Sequence, residues 1–170
     1  MNPAFFDSKE VRSSDKREND HLASLKNLIE KAKNVPFHSA RLNYEVHTLN
    51  DLQKIDVFRK SDLIELQKKN LPFGNLNFKE ISEFSHIYRS PGPIYDLDGY
   101  GTNWWRFARA LNAAGFNKED IVQNCFSYHF TPAGMMFDEA AKILKCTVFP
   151  AGGENSDMQA EIMSEINATG

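Results

Sequence analysis

Apolar positions along this chain follow two different periods, and the change falls near Ser82. Before it, Leu22, Leu25, Leu28, Ile29 and Ala32 recur at three- and four-residue intervals. That stripe predicts one amphipathic helix ending near Asn34, capped by Ser14 or Asp15 and stopped by Pro36. Weaker helical signals follow. Thr48 or Asn50 opens Asp51–Lys54, and Ser61 opens Asp62–Lys68 with an acid in the first turn. Leu71-Pro72-Phe73-Gly74 breaks the pattern. Residues 1–80 are thus expected to form a helical N-terminal arm, loose over residues 1–14.

Beyond Ser82 the signal changes. Phe84, His86 and Tyr88 alternate with Ser85, Ile87 and Arg89, a strand that feeds a loop over Ser90–Gly101 rich in proline and glycine. Thr102 is placed to cap a helix through Ala114, with Gly115 as its stop. Ile121–Phe126 reads as a buried strand, and Thr131 with Pro132 opens a helix to Lys145. Cys146–Pro150 reads as another strand, Gly152-Gly153 as a turn, and Asn155 or Ser156 as the cap of a last helix. Residues 81–170 are expected to be a partial α/β subdomain of order β-α-β-α-β-α, part of a doubly wound parallel sheet. Ligands of such sheets bind beyond the carboxyl ends of the strands, here Ser127–Thr131 and Ala151–Asn155.

Bulk properties narrow the classes. The 170 residues are 41% hydrophobic and 25% charged, with formal net charge −3, which fits an ordinary globular chain. The mildly acidic balance supplies no electrostatic footprint for nucleic acid or an anionic membrane. The charge-dense Lys9–Asp20 stretch reads as a solvated helix start. No basic signal segment and no apolar run of roughly 18–20 residues is present, so the expected location is cytoplasmic. Five scattered histidines match no metal-ligand spacing. Cys125 and Cys146 read as buried free thiols; a Cys125–His129 nucleophile–base pair is the weaker alternative.

Candidate chemistry sits at the strand ends. Phe126, Tyr128 and Phe130 alternate after the Ile121 strand and are placed either to wall a flat apolar pocket or to pack under the next helix. Gly152 and Gly153 precede a helix start, where backbone N–H groups favour an anion; the alternative is a sharp turn alone. Leu71-Pro72-Phe73-Gly74, Asp120-Ile121-Val122-Gln123-Asn124, and Thr147-Val148-Phe149-Pro150-Ala151-Gly152-Gly153-Glu154-Asn155-Ser156 with Gln159 together resemble the phenylacetate–CoA ligase family, within the adenylate-forming acyl-CoA synthetases. Val35-Pro36-Phe37 and Lys60-Ser61-Asp62-Leu63 fit the same family's N-terminal region, so the resemblance runs from about residue 20 onward.

The resemblance implies the adenylate-forming fold, ATP-dependent activation of an aryl or other carboxylic acid, and transfer to coenzyme A, with ATP, Mg and CoA as the family's cofactors. It assigns Phe126, Tyr128 and Phe130 to the acid's aromatic pocket and Gly152 and Gly153 to the glycine turn. It puts Ser90 and Gly92 at the position of a phosphate-binding loop, but two prolines, the absence of lysine and Asp96 leave that loop degenerate. Family members are more than twice as long. The chain is therefore expected to be an N-terminal fragment, inactive alone and binding no cofactor tightly. It would need the missing C-terminal portion as a partner or associate with itself. The alternative function is a non-catalytic binding module that retains the fold; a small flavodoxin-like nucleotide binder is disfavoured by the absence of a phosphate-binding cluster.

Overall fold

The computed structural model describes residues 5–42 and 44–170. It divides into two compact units: Val11–Leu97, and Asp98–Gly170 together with the segment before Val11. No helix is long and apolar enough to cross a membrane among the described residues.

The first unit is helical up to a hairpin. Helix α1 spans Ser14–Ala32 and is capped by Ser13, whose hydroxyl accepts from the Lys16 N–H. Proline at the first position of α2 (Pro36–Ser39) supplies the fixed φ a helix start needs. A 3₁₀ turn over Leu49–Lys54 follows Thr48, whose backbone N–H donates to Asp51 at 2.8 Å. Lys54 and the Thr48 and His47 N–H groups together hold the Asp51 carboxyl well below the usual carboxylate range. Helix α3 spans Lys60–Lys69, and its cap is Asp62 accepting from the Arg59 N–H at 2.9 Å; Ser61 lies inside the helix. Ile29, Val35, Val46, Phe73, Phe84, Tyr88 and Ile94 are the buried apolar residues of this unit.

The segment expected as a long loop after the first strand is a hairpin. Strand β1 (Phe84–Ser90) and strand β2 (Ile94–Gly99) pair with each other, and their three-residue connection makes the pair antiparallel. Pro91 and Pro93 are confined to the turn, where no ladder N–H is required. The expected set of three parallel strands is corrected accordingly. The alternation at Phe84–Tyr88 marks a strand correctly, but says nothing about which strand it pairs with.

The second unit carries the βαβ element. After β2, the chain turns through Asn103 and Arg106, both at positive φ, so the expected helix from Thr102 cannot form there. The Asn103 side chain instead accepts from the Ala108 N–H, and α4 covers only Ala108–Ala113. Strand β3 (Ile121–Gln123) pairs in parallel with β4 (Thr147–Phe149), with Val122 opposite Val148. Between them lies α5 (Ala133–Ile143), and α6 (Ser156–Glu165) follows. Asn155 caps α6 as expected, its side chain accepting from Met158 N–H at 2.9 Å. Thr131 does not cap α5; Pro132 occupies that position with no side-chain bond. The other edge of β3 is met by the chain's last residues: Thr169 N–H donates to the Ile121 carbonyl and Gln123 N–H to that of Gly170.

The core of this unit is built from small side chains. Ala108, Ala140 and Ala141 are at most 1% exposed and pack with Leu111 and Cys146, ringed by Phe6, Phe107, Phe116 and Phe137. Phe6 reaches that ring because Arg109 on α4 ion-pairs with Asp7 and, at 2.8 Å, with Glu10. The expectation of two buried thiols holds for Cys146 only; Cys125 is exposed because the strand ends at Gln123. Burial pushes the Cys146 thiol pKa up, with Asp120 adding to the shift. A thiol reagent should therefore label Cys125 rapidly in the native chain and Cys146 only after denaturation. Equal labelling rates measured by mass spectrometry would contradict this packing.

Gly134 sets how closely α5 approaches the turn after β3. A Cβ there would lie 2.6 Å from the Ser127 carbonyl oxygen and 2.9 Å from the Tyr128 ring, both too close to persist. Gly134→Ala is expected to destabilise the unit by about 1–3 kcal/mol, the usual cost of overpacking. Urea denaturation followed by far-UV circular dichroism would read that loss, and an unchanged midpoint would refute the contact.

Candidate functional site

The end of β3 replaces an apolar sequence, Ile121-Val122, with two buried amides, Gln123 and Asn124. Buried amides persist only where their hydrogen bonds are made. Asn124 continues the ladder, donating its N–H to the Phe149 carbonyl at 2.9 Å and accepting from Gly152 N–H at 3.0 Å. Its side chain donates to the Tyr128 hydroxyl and to the Gly134 carbonyl, each at 2.8 Å, and accepts from the Phe126 N–H at 3.2 Å. One side chain thus fixes the turn after β3 to the start of α5.

Gln123 organises the opposite side. Its Nε2 donates to the Gln159 backbone carbonyl at 2.9 Å and to Gln159 Oε1 at 2.6 Å. Gln159 in turn donates to the Gly152 carbonyl at 3.0 Å, so α6 and the glycine turn are held to β3 by a run of amides. Cys125 Sγ donates to Gln159 Oε1 at 3.3 Å.

These constraints frame a cavity of about 300 Å³ beside the end of β3, walled by Leu111, Phe116, Val122, Phe126 and Phe137 with the Gln123–Cys125 segment. Phe126 forms one wall because its ring stacks on Phe137, with centroids 4.4 Å apart. Such a volume, largely apolar with a few fixed polar groups, suits the ring or short tail of a small molecule.

The three sequence-designated aromatics separate. Phe126 lines the cavity and is 49% exposed. Tyr128 turns away to the Asn124 amide and, at 3.4 Å, to Asp138. Phe130 sits at positive φ and is 78% exposed, apart from the cavity wall. Gly152 has φ +69, which the turn into α6 requires, and its N–H is committed to Asn124. Gly153 is exposed. Gly92 lies in the β1–β2 turn and Ser90 ends β1, with Ser90 Oγ donating to the Ile94 carbonyl at 3.3 Å. No cluster of three metal-ligating side chains occurs among the described residues.

Comparison with known proteins bears on the chain as a whole. No family model matches the chain. A phenylacetate–coenzyme A ligase from Pseudomonas putida is 27% identical over 177 residues, covering 96% of this chain and 39% of the relative. The chain is similar to the N-terminal portion of phenylacetate–CoA ligase. Its fold is that of crystal structures of 2-hydroxyisobutyryl-CoA ligase: the form in the postadenylation state with 2-HIB-AMP gives a TM-score of 0.75 at 22% identity. That match covers 91% of this chain and 35% of the neighbour. The form with 2-HIB-AMP and CoA in the thioesterification state gives a TM-score of 0.72 over the same share of this chain. The chain therefore spans well under half the length of the proteins it matches.

The sequence singles out Phe126 by its alternation and Gln123, Asn124 and Gln159 as motif residues, but neither Phe137 nor the hydrogen bonds the amides make. Their signal was present: Gln123-Asn124 interrupts an apolar strand, and polar residues at such positions need partners. Tyr128 offers a direct test of the network. Burial raises its pKa above the ordinary value of 10.0, the nearby Asp138 adds to the rise, and the Asn124 bond opposes it. A raised folded-state value stabilises the chain below the unfolded pKa and loses that stability as pH climbs through the folded one. In a spectrophotometric titration Asp138→Asn should bring the Tyr128 ionisation to lower pH, and an unchanged Tyr128 would refute the contact. Removing the node itself, Asn124→Ala, should cost at least about 1–3 kcal/mol, because buried groups are left unpaired.

Proposed function

We propose that this chain supplies the acid-recognition part of an acid–CoA ligase of the phenylacetate–CoA ligase type. In the overall reaction a carboxylate attacks the α-phosphate of ATP, giving acyl-adenylate and pyrophosphate, and coenzyme A then displaces AMP to form the thioester. The observation that carries the reading is the apolar cavity at the carboxyl end of β3, within a chain matched over 96% of its length to a phenylacetate–coenzyme A ligase. The tail of an aryl or other apolar acid fits against Phe126 and Phe137, with its carboxylate toward the open side. Tyr128 supports that wall through Asn124 and is a positioning residue in this reading. Phe130 stands at the surface, where it would meet only ligand or polypeptide lying over the turn.

The residues here do not form a cradle for ATP. The Ser90–Pro93 turn lacks two backbone donors and carries no cation, and Asp96 follows it. At the glycine turn, the Gly152 N–H is committed to Asn124, the Asn155 side chain already caps α6, and Asp157 sits in its first turn. No phosphate, magnesium or CoA step is assigned to this chain. The same observation favours a second reading, a binding module that retains the acid pocket without the chemistry.

Pyrophosphate exchange on the isolated chain with ATP and an aryl acid should stay at the no-protein background. Phenylacetate binding should nonetheless be detectable by NMR shifts at Cys125 and Phe126. Phe126→Ala should weaken it about threefold to tenfold, the scale of one aromatic contact. Shifts spread over both units with no focus on this cavity would refute the acid-pocket reading.

A further inference from the structure

Two exposed surfaces of the chain carry complementary chemistry. In the first unit, Leu28, Lys31 and Ala32 share one face of α1 and, with Leu76 and Phe78, surround a groove of about 200 Å³ above the buried Val35. Leu28 is 63% and Phe78 57% exposed, so two large apolar side chains border the groove in water. Its volume falls below the roughly 300–1,000 Å³ of a small-molecule pocket and suits a side chain from another polypeptide. Lys31 stands exposed beside it and makes no ion pair among the described residues. No acid lines the groove, and Glu30 is taken by Lys33 at 2.7 Å. Burial, with Arg41 nearby, holds His38 toward its neutral form. The groove is therefore apolar with one available cation.

The second unit carries the counterpart on α6. Gln159 faces β3 through its bond to Gln123, which turns Asp157, Met158, Glu161 and Glu165 outward on the helical period. All four are exposed, Met158 at 43%. The three carboxylates make no ion pair among the described residues, and α6 contains no Lys, Arg or His. One flexible apolar side chain thus stands among acids spaced four residues apart. We propose that α6 of one copy of this chain docks in the α1 groove of another, with Met158 between Leu28 and Phe78 and the Glu161 carboxylate on Lys31. Glu161 lies about one turn from Met158, as Lys31 does from Leu28. The occupant is a second copy because the acidic, partly apolar helix that the groove selects is displayed by the same chain. The two patches differ, so the contact is head-to-tail and passes from copy to copy unless it closes in a ring. Neither patch lines the cavity at β3, so the inference is independent of the acid-pocket reading.

Sedimentation velocity on the full chain across a wide concentration range tests this, with Lys31→Glu and Glu161→Lys as charge reversals. Both positions are exposed, and a melting curve checks that each variant folds. The average mass of the unaltered chain should rise with concentration and fall back as salt screens the pair. Each variant alone should associate about threefold to tenfold more weakly, the effect of turning one exposed ion pair into a repulsion. Mixed in equal amounts, the two variants should recover the original strength, because every groove can then meet an α6 of opposite sign. Phe78→Ser, which leaves both charges in place, should weaken association by itself. A chain that stays monomeric at every concentration overturns the inference. So does association that neither charge reversal weakens, or that the mixture fails to recover.

Discussion

The second unit depends on the side-chain amide of Asn124. At 4% exposure it makes three side-chain hydrogen bonds, and its backbone extends the parallel ladder by one residue on each side. In a low-dielectric interior each such bond is stronger than in water, and an unmade one costs correspondingly more. The turn after β3 is consequently not free to drift. It is tied to α5 at Gly134, where the absence of a Cβ lets helix and turn touch, and this places Phe126 where it can stack on Phe137. Remove the amide and the cavity loses a wall although no residue lining that wall has changed identity.

The first unit uses the same device. Gln67 is buried in α3 and its carboxamide both donates to and accepts from the backbone of Tyr95, at 2.9 and 2.8 Å. The side chain thereby behaves as one more residue of a β ladder, and it satisfies an edge of β2 that has no neighbouring strand in its two-stranded sheet. A helix joined to a hairpin by an amide is fixed in register as well as in distance, because both donor and acceptor must match. In the second unit the other edge of β3 is met by backbone instead, at Thr169 and Gly170.

Helix positions were legible in the sequence wherever the apolar period ran long. Leu22 through Ala32 mark α1, and Met158, Ile162 and Ile166 mark α6, because 3.6-residue spacing over several turns has few alternative explanations. Local exceptions hid the rest. Asn103 and Arg106 at positive φ shorten α4, yet neither residue type announces a left-handed conformation as glycine does. The β1–β2 hairpin was concealed because Ser90-Pro91-Gly92-Pro93 reads equally as a loop or a turn. The polar character of Asp96 and Asp98 further obscured β2 as a strand. At the site, Phe126 and the glycine turn were visible as motifs. The partner of Gln123 was not, since Gln159 is 36 residues away and nothing local specifies that contact.

The amides also close the glycine turn against an anion. Anion sites at helix starts need backbone N–H groups left open and a local positive field. Here the N–H of Gly152 closes onto Asn124, the first turn of α6 is capped by Asn155, and Asp157 adds negative charge where a phosphate would approach. Each of these stabilises the fold by satisfying α6 and the turn from within, and each removes a donor from a ligand. The rigidity that shapes the cavity and the closure of the glycine turn are therefore the same hydrogen bonds. Loosening the turn enough to admit an anion would release Gly152 from Asn124 and Gln159, and with it the alignment of Gln123 and Phe126 at the cavity.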